Sequence, residues 1–169
     1  FNEREGQTAY RNSFVALPAA TQFRPARSTP KPRVAGTMSA TVDAEGSGEY
    51  AELDAHGQYK VQIPFDRTEK GAAKGSAPVR MASPYAGSDH GMHFPLHKGA
   101  EVLLSFTDGD PDQPVIVGAV PNSDNPSVVD ARNPRLSMIH TKGGNEIGFD
   151  DTKGKEALWL RSPHQDSAL

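Results

Sequence analysis

Residues His93 to Asn122 constrain this chain more than any other stretch, because they spell two strands and the corner between them in one continuous run. Val102, Leu104 and Phe106 alternate with Leu103 and Ser105, and Val115, Val117 and Ala119 alternate with Ile116 and Gly118, the period of two that puts successive side chains on opposite faces. Between them lies Asp108-Gly109-Asp110-Pro111-Asp112-Gln113-Pro114. Gly109 is free to take φ > 0, Asp108 and Asp110 can bond nearby backbone N–H groups, and the prolines fix φ and stop further pairing. A β-β corner of this kind commits its surroundings to a sheet. The 16 Gly and 14 Pro among 169 residues agree, since both punctuate helices.

The length allows one ordinary domain with a core and a short extension. With 18 basic against 21 acidic residues and a formal charge of -3, the chain has no surplus of cations for phosphates, so nucleic acid is not expected as a partner. The absence of cysteine excludes disulfides and thiolate metal sites. No apolar run approaches the roughly 20 residues of a membrane helix, and Phe1-Asn2-Glu3-Arg4-Glu5 is too charged for a signal peptide. Lacking an initiator Met, the chain reads as an internal piece of a longer protein with some cut interfaces on its surface.

In chain order, residues 1–32 place Tyr10, Phe14 and Phe23 among polar and proline steps, and Arg24 to Pro32 interleaves Lys and Arg with Pro, predicting an extended connector. From Arg33 a first strand runs to Asp43, with Val34, Gly36, Met38, Ala40 and Val42 on one side. A second covers 58–66, with Tyr59, Val61, Ile63 and Phe65 facing one way. Thr68 to Ala77 reads as a Gly-rich surface loop and 79–83 as a third strand, followed by 101–107 and 114–120. The expected core is Val34, Val61, Ile63, Val102, Leu104, Phe106, Val115 and Val117.

Five short strands with their longest connection between the third and fourth suit a Greek-key barrel of the oligonucleotide/oligosaccharide-binding (OB) type, here over residues 33–122. Residues 123–140 read as a linker rich in Pro, Asn and Asp. Within 141–169, Thr141 to Asp151 and Glu156 to Leu160 read as two short strands about an Asp-Asp-Thr-Lys-Gly turn. Two strands cannot bury Ile147, Phe149, Leu158, Trp159 and Leu160, so partners must cover them; three copies wound about an axis would do so, which predicts a homotrimer with these residues at its interface.

Long motifs carry a resemblance. Tyr10-x-Asn12-x-Phe14, Phe23-Arg24-Pro25, Pro32-Arg33-Val34-Ala35-Gly36, and Asp54-x-x-Gly57 before Tyr59-Lys60-Val61-Gln62-Ile63-Pro64-Phe65-Asp66-Arg67 are similar to the VgrG spike family. So are Ser83-Pro84-Tyr85-Ala86-Gly87, Gly91-x-x-Phe94-Pro95, Gly99-x-Glu101-Val102 and Phe106-x-x-Gly109-Asp110-Pro111-Asp112-x-Pro114-Val115-Ile116-x-Gly118. The family has Arg and Trp where this chain has Gln58 and Phe65, Trp-Gly in place of His90-Gly91, and Pro-Arg-x-Gly in place of Pro95-Leu96-His97-Lys98-Gly99. Most of these changes keep polar or apolar character.

The resemblance implies an all-β segment of a type VI secretion tail spike, related to the hub and spike of contractile phage tails. Its OB barrel would join an upstream hub to a trimeric β-helical needle, whose first turns Gly144-Asn145-x-Ile147-x-Phe149-Asp150-Asp151-x-x-Gly154-x-Glu156 resemble. The implied partners are further copies of the chain, the inner-tube protein, a tip cap and effectors, and transiently the target cell envelope. The implied location is the bacterial cytoplasm before secretion.

Chemical alternatives are weaker. His90, His93 and His97 have the spacing of zinc ligands on a helix, but Gly91, Pro95 and Gly99 deny them one. Asp108, Asp110 and Asp112 begin like a calcium loop, yet the twelfth position is Ala119 rather than Glu. Asp150 and Asp151 are adjacent strand residues that point apart and suit a turn better than glycoside cleavage. Gly71 to Ser76 lacks phosphate-loop spacing, no nucleophile elbow is present, and Arg24, Arg27, Lys31 and Arg33 read as a solvated or salt-bridging surface. No catalytic residue, metal site or cofactor is expected, and the chain is not expected to be an enzyme. The competing readings are an OB module for carbohydrate or nucleic acid, which needs exposed aromatics on strands two and three, and part of a peptidoglycan-cleaving spike, which needs a further domain.

Overall fold

The computed structural model describes residues 2–4, 7–67 and 71–164. Thr68, Glu69 and Lys70 of the expected loop, Phe1, Glu5 and Gly6 of the expected connector and 165–169 of the expected needle lie outside the described residues. Two compact units are present, Phe1–Pro32 and Arg33–Leu169. The first contains an antiparallel hairpin of β1 (Asn2–Arg4) and β2 (Gln7–Ala9). Beyond it, residues 10–32 form no regular strand or helix apart from a turn closed by Thr21 N–H on the Pro18 carbonyl at 2.8 Å, and Tyr10, Phe14 and Phe23 are exposed.

The second unit is built on a curled sheet, and among the described residues the chain has no α-helix. Its strands are β3 (Met38–Asp43), β4 (Lys60–Gln62), β5 (Arg80–Met81), β8 (Glu101–Phe106) and β9 (Pro114–Ala119), in the spatial order β4-β3-β8-β9-β5. Only the β5–β9 pair is parallel. The curl brings the edges together at Tyr59 and Val79, which exchange hydrogen bonds of 2.9 and 2.7 Å. An edge satisfied in this way no longer invites a stray strand. Two-residue strands β6 (Ala86–Gly87) and β7 (His90–Gly91) form a small hairpin within the third-to-fourth connection.

Ala40, Val42, Tyr59, Val61, Val79, Val102, Leu104 and Ile116 fill the core. Val61, Val102 and Leu104 are buried as the alternation predicts, while Ile63 and Phe106 pack against the cluster half-buried. Several expectations need correction. Val34 and Val115, expected in the core, are half-buried and lie outside the cluster, Val115 facing Ser105. Val117 is 47% exposed and Ile116 is buried instead, because β9 bulges against β8: Leu103 faces Gly118 but Leu104 faces Ile116, and the extra residue inverts the alternation. Phe65 is 69% exposed because its strand ends early, in a turn where Asp66 N–H bonds the Ile63 carbonyl at 3.0 Å around Pro64. The first strand likewise starts at Met38, not Arg33. Residues 33–37 instead lie against the corner, with Val34 N–H on the Gly109 carbonyl at 2.9 Å.

That corner is a left-handed pair. Asp108 (φ 53°) and Gly109 (φ 72°) form a turn closed by Asp110 N–H on the Thr107 carbonyl at 2.9 Å, the conformation that Asp-Gly favours. Asp110 then caps the next turn through Asp112 N–H at 3.0 Å.

The C-terminal region holds three strands rather than the two expected: β10 (Leu136–His140), β11 (Glu146–Asp150) and β12 (Ala157–Arg161) form an antiparallel meander. The supposed linker 123–140 therefore ends in a strand. Leu136-Ser137-Met138-Ile139-His140 begins one residue, Arg135, after Asn133-Pro134, and its brief alternation is overshadowed by those turn residues.

Candidate assembly surface

Register decides which side chains of the meander share a face. Ile139 sits opposite Ile147 and Ile147 opposite Leu160, while Phe149 sits opposite Leu158. Side chains alternate along each strand, so these five share one face. They are 41%, 40%, 46%, 67% and 46% exposed in the order Ile139, Ile147, Phe149, Leu158 and Leu160. Half-covered residues of this size forgo on the order of 1 kcal/mol each of hydrophobic stabilisation that a cover would supply. Phe94, from the connection before β8, joins Ile139, Ile147 and Leu160 in lining a groove of about 380 Å³ at this face.

The opposite face is finished within the chain. Trp159 lies over Gly148, whose missing side chain makes room for the indole: a Cβ there would collide with the ring. The indole N–H reaches Glu146 at 3.4 Å, and Glu146 also lies 3.9 Å from both His140 and Arg161. The five residues expected at an interface thus divide. Ile147, Phe149, Leu158 and Leu160 share the uncovered face, and Trp159 is on the other. Ile139 and Phe94 extend the uncovered face and were not singled out in the sequence. The alternation in residues 136–140 carries the signal for Ile139; the position of Phe94 depends on the tertiary fold.

The hinge turns explain the carboxylates. Asp150 Oδ1 accepts Thr152 N–H at 2.8 Å and its hydroxyl at 2.5 Å, and these bonds, led by the hydroxyl, hold the Asp150 carboxyl below the usual range. Asp54 is lowered chiefly by the Gln58 N–H, with His56 N–H also bonded. Both act as turn caps.

The remaining candidates go to separate partners. His90 Nδ1 contacts the Ser88 carbonyl at 2.7 Å, His93 Nε2 contacts the Tyr59 hydroxyl at 3.2 Å, and His97 Nδ1 contacts the Gly48 carbonyl at 3.1 Å. Among the described residues no group of three or more His, Cys, Asp or Glu could hold a metal ion. The Gly-rich loop is stitched to the sheet: Gly75 N–H bonds Asp43 at 3.0 Å, and Ser76 Oγ accepts Val61 N–H at 2.9 Å. Arg24 bonds Gln22 at 3.1 Å, and Arg33 bonds the Asp108 carbonyl at 3.3 Å. Tyr59, central to the second expected strand, is wholly buried, so it offers no stacking platform to a base or sugar. No helix among the described residues is long and apolar enough to cross a membrane.

Residues 50–120 match the type VI secretion system/phage-baseplate injector OB domain. The type VI secretion system spike protein VgrG4b of Pseudomonas aeruginosa is 37% identical over 163 residues, covering 92% of this chain and 20% of that protein. The actin cross-linking toxin VgrG1 of Vibrio cholerae is 36% identical over 163 residues, 93% of this chain and 15% of the toxin. The spike protein VgrG3 of Vibrio cholerae is 36% identical over 170 residues, 97% of this chain and 16% of that protein. The chain spans about a fifth or less of the length of these relatives. The chain therefore matches an injector OB domain at its centre and is similar along nearly its whole length to VgrG spike proteins of type VI secretion.

Proposed function

We propose that this segment is a structural joint of a contractile injection machine, connecting a hub to a membrane-puncturing needle and assembling as a homotrimer. The observation that carries the reading is the uncovered apolar face of Ile139, Ile147, Phe149, Leu158 and Leu160 beside an otherwise completed sheet. Strands β10 and β12 also leave an edge each, and neighbouring copies would supply both missing partners. On this reading the C-terminal strands continue into a β-helical needle. The curled sheet closes as an OB barrel, and the segment has a mechanical rather than catalytic role. Inner-tube protein, tip cap and effectors would be its partners, before passage from the cytoplasm through the target envelope.

Light scattering of the chain at micromolar concentration tests the assembly, with about three times the monomer mass expected. A compact, soluble monomer with ordered strands beyond Thr141 would overturn it.

A further inference from the structure

Loop 44–52, after β3, is drawn tight by its own side chains. The Glu52 carboxylate accepts Glu45 and Gly46 N–H at 2.9 and 2.6 Å, and Gly48, buried at φ 82°, offers its carbonyl to two donors. One is His97 Nδ1 at 3.1 Å, from the segment leading into β8. The other is Lys142 Nζ at 2.5 Å, from the turn between β10 and β11, 94 residues along the chain. A neighbouring ammonium, Lys98 Nζ, bonds the Gly46 carbonyl at 3.0 Å and stays within the barrel unit's own loops.

The Lys142 turn is itself rigid. Gly144 N–H bonds the Thr141 carbonyl at 2.9 Å, Asn145 N–H bonds Thr141 Oγ1 at 3.1 Å, and Gly144 takes φ 82°. A rigid turn, one charged donor and a buried acceptor in a rigid loop make a fixed point between two sheets. The meander's other ties to the curled sheet are residues 123–134, a run of turns with Asn125 N–H on Asn122 at 2.8 Å and the Asn125 amide on the Gly99 carbonyl at 3.2 Å, and Phe94 beside Ile139, Ile147 and Leu160. An ammonium on a carbonyl is also stronger than a neutral pair.

We infer that Lys142 is a positioning residue: its bond to the Gly48 carbonyl sets the orientation of the C-terminal meander on the curled sheet. The contact lies within one chain, so it goes beyond the proposed trimer and does not depend on it. A joint that transmits axial force needs its two sides held at a fixed angle, and this bond supplies one such restraint.

The absence of cysteine allows clean labelling. Spin labels at Thr41→Cys on β3 and Ala157→Cys on β12, diluted with unlabelled chain, read the intrachain distance. Lys142→Met keeps the stem and removes the donor; it should at least about double the width of the distance distribution. It should also speed hydrogen exchange about tenfold on both sides of the contact, at residues 47–49 and 143–145. Lys142→Arg should restore the narrow distribution. Lys98→Met should loosen loop 44–52 alone. Unchanged width in Lys142→Met, loosening confined to the 143–145 turn, or no recovery with Arg would each overturn the inference. If the Met variant fails to fold, Lys142→Gln, too short to reach the carbonyl, gives the same readings. A monomeric mass in light scattering would refute the trimer and leave these intrachain distances untouched.

Discussion

Gly109 shows how one residue's backbone holds two elements together. At φ 72° a Cβ would be strained, and it would also lie 3.1 Å from the carbonyl of Val34, whose N–H the Gly109 carbonyl accepts. Gly109→Ala should therefore cost about 1–2 kcal/mol, read as a lower urea midpoint at unchanged slope. Tyr59 carries a different constraint, because its buried hydroxyl accepts Leu96 N–H at 3.1 Å and also meets His93. Tyr59→Phe should cost about 1–2 kcal/mol. Burial raises the Tyr59 phenol above 10.0, outweighing the Leu96 bond, which lowers it. A raised folded value means that the neutral phenol's contribution is complete below the unfolded pKa and is lost as pH climbs above it. The stability difference between wild type and Tyr59→Phe should accordingly shrink above pH 10 in denaturant titrations. Asp54 and Asp150 have the opposite sign, since their folded values are lowered. Their contribution is present above the usual carboxylate pKa and disappears as pH falls through the folded one, so Asp54→Asn and Asp150→Asn should flatten the acid side of the stability curve.

The elements were legible where a pattern was local and self-contained. Asp108-Gly109 encodes its own turn, and the alternation at 101–106 needs nothing outside the strand to be read. Val117 defeated that logic, because a bulge is a relation between two strands and only the pairing of Leu104 with Ile116 reveals it. Phe65 failed for a related reason: period two continues through Pro64, but the chain turns there. Strand β10 was hidden by its neighbours Asn133 and Pro134, and the division of the tail residues into two faces required the register of all three strands. Gly148 belongs to this class too, being small only because Trp159 crosses it. Gly148→Ala should displace the indole at a cost of about 1–3 kcal/mol, with red-shifted Trp159 fluorescence while the strands of the curled sheet stay protected from hydrogen exchange. Intact Trp159 emission in that variant would show that the sheet tolerates the extra methyl.

At the scale of the whole molecule, the two faces of the meander make opposite demands, and this separates folding from assembly. Trp159 is the cover of Gly148 and its polar end is bonded to Glu146, so its work is done inside one chain. Leu158 is adjacent in sequence, yet it points the other way and is 67% exposed. A carboxylate at an exposed position of a lone sheet meets water and costs the fold little. The same carboxylate trapped between copies would lose its hydration, at a cost of several kcal/mol for each burial. Leu158→Asp should therefore leave circular dichroism and the exchange protection of the curled sheet near wild type while reducing the mass to that of a monomer. Trp159→Ala should do the reverse in order of effect, lowering the melting temperature of the meander first, with assembly lost only as the sheet itself fails. A chain whose Leu158→Asp variant still scatters light as the wild type does would have its apolar face covered by something other than its own copies.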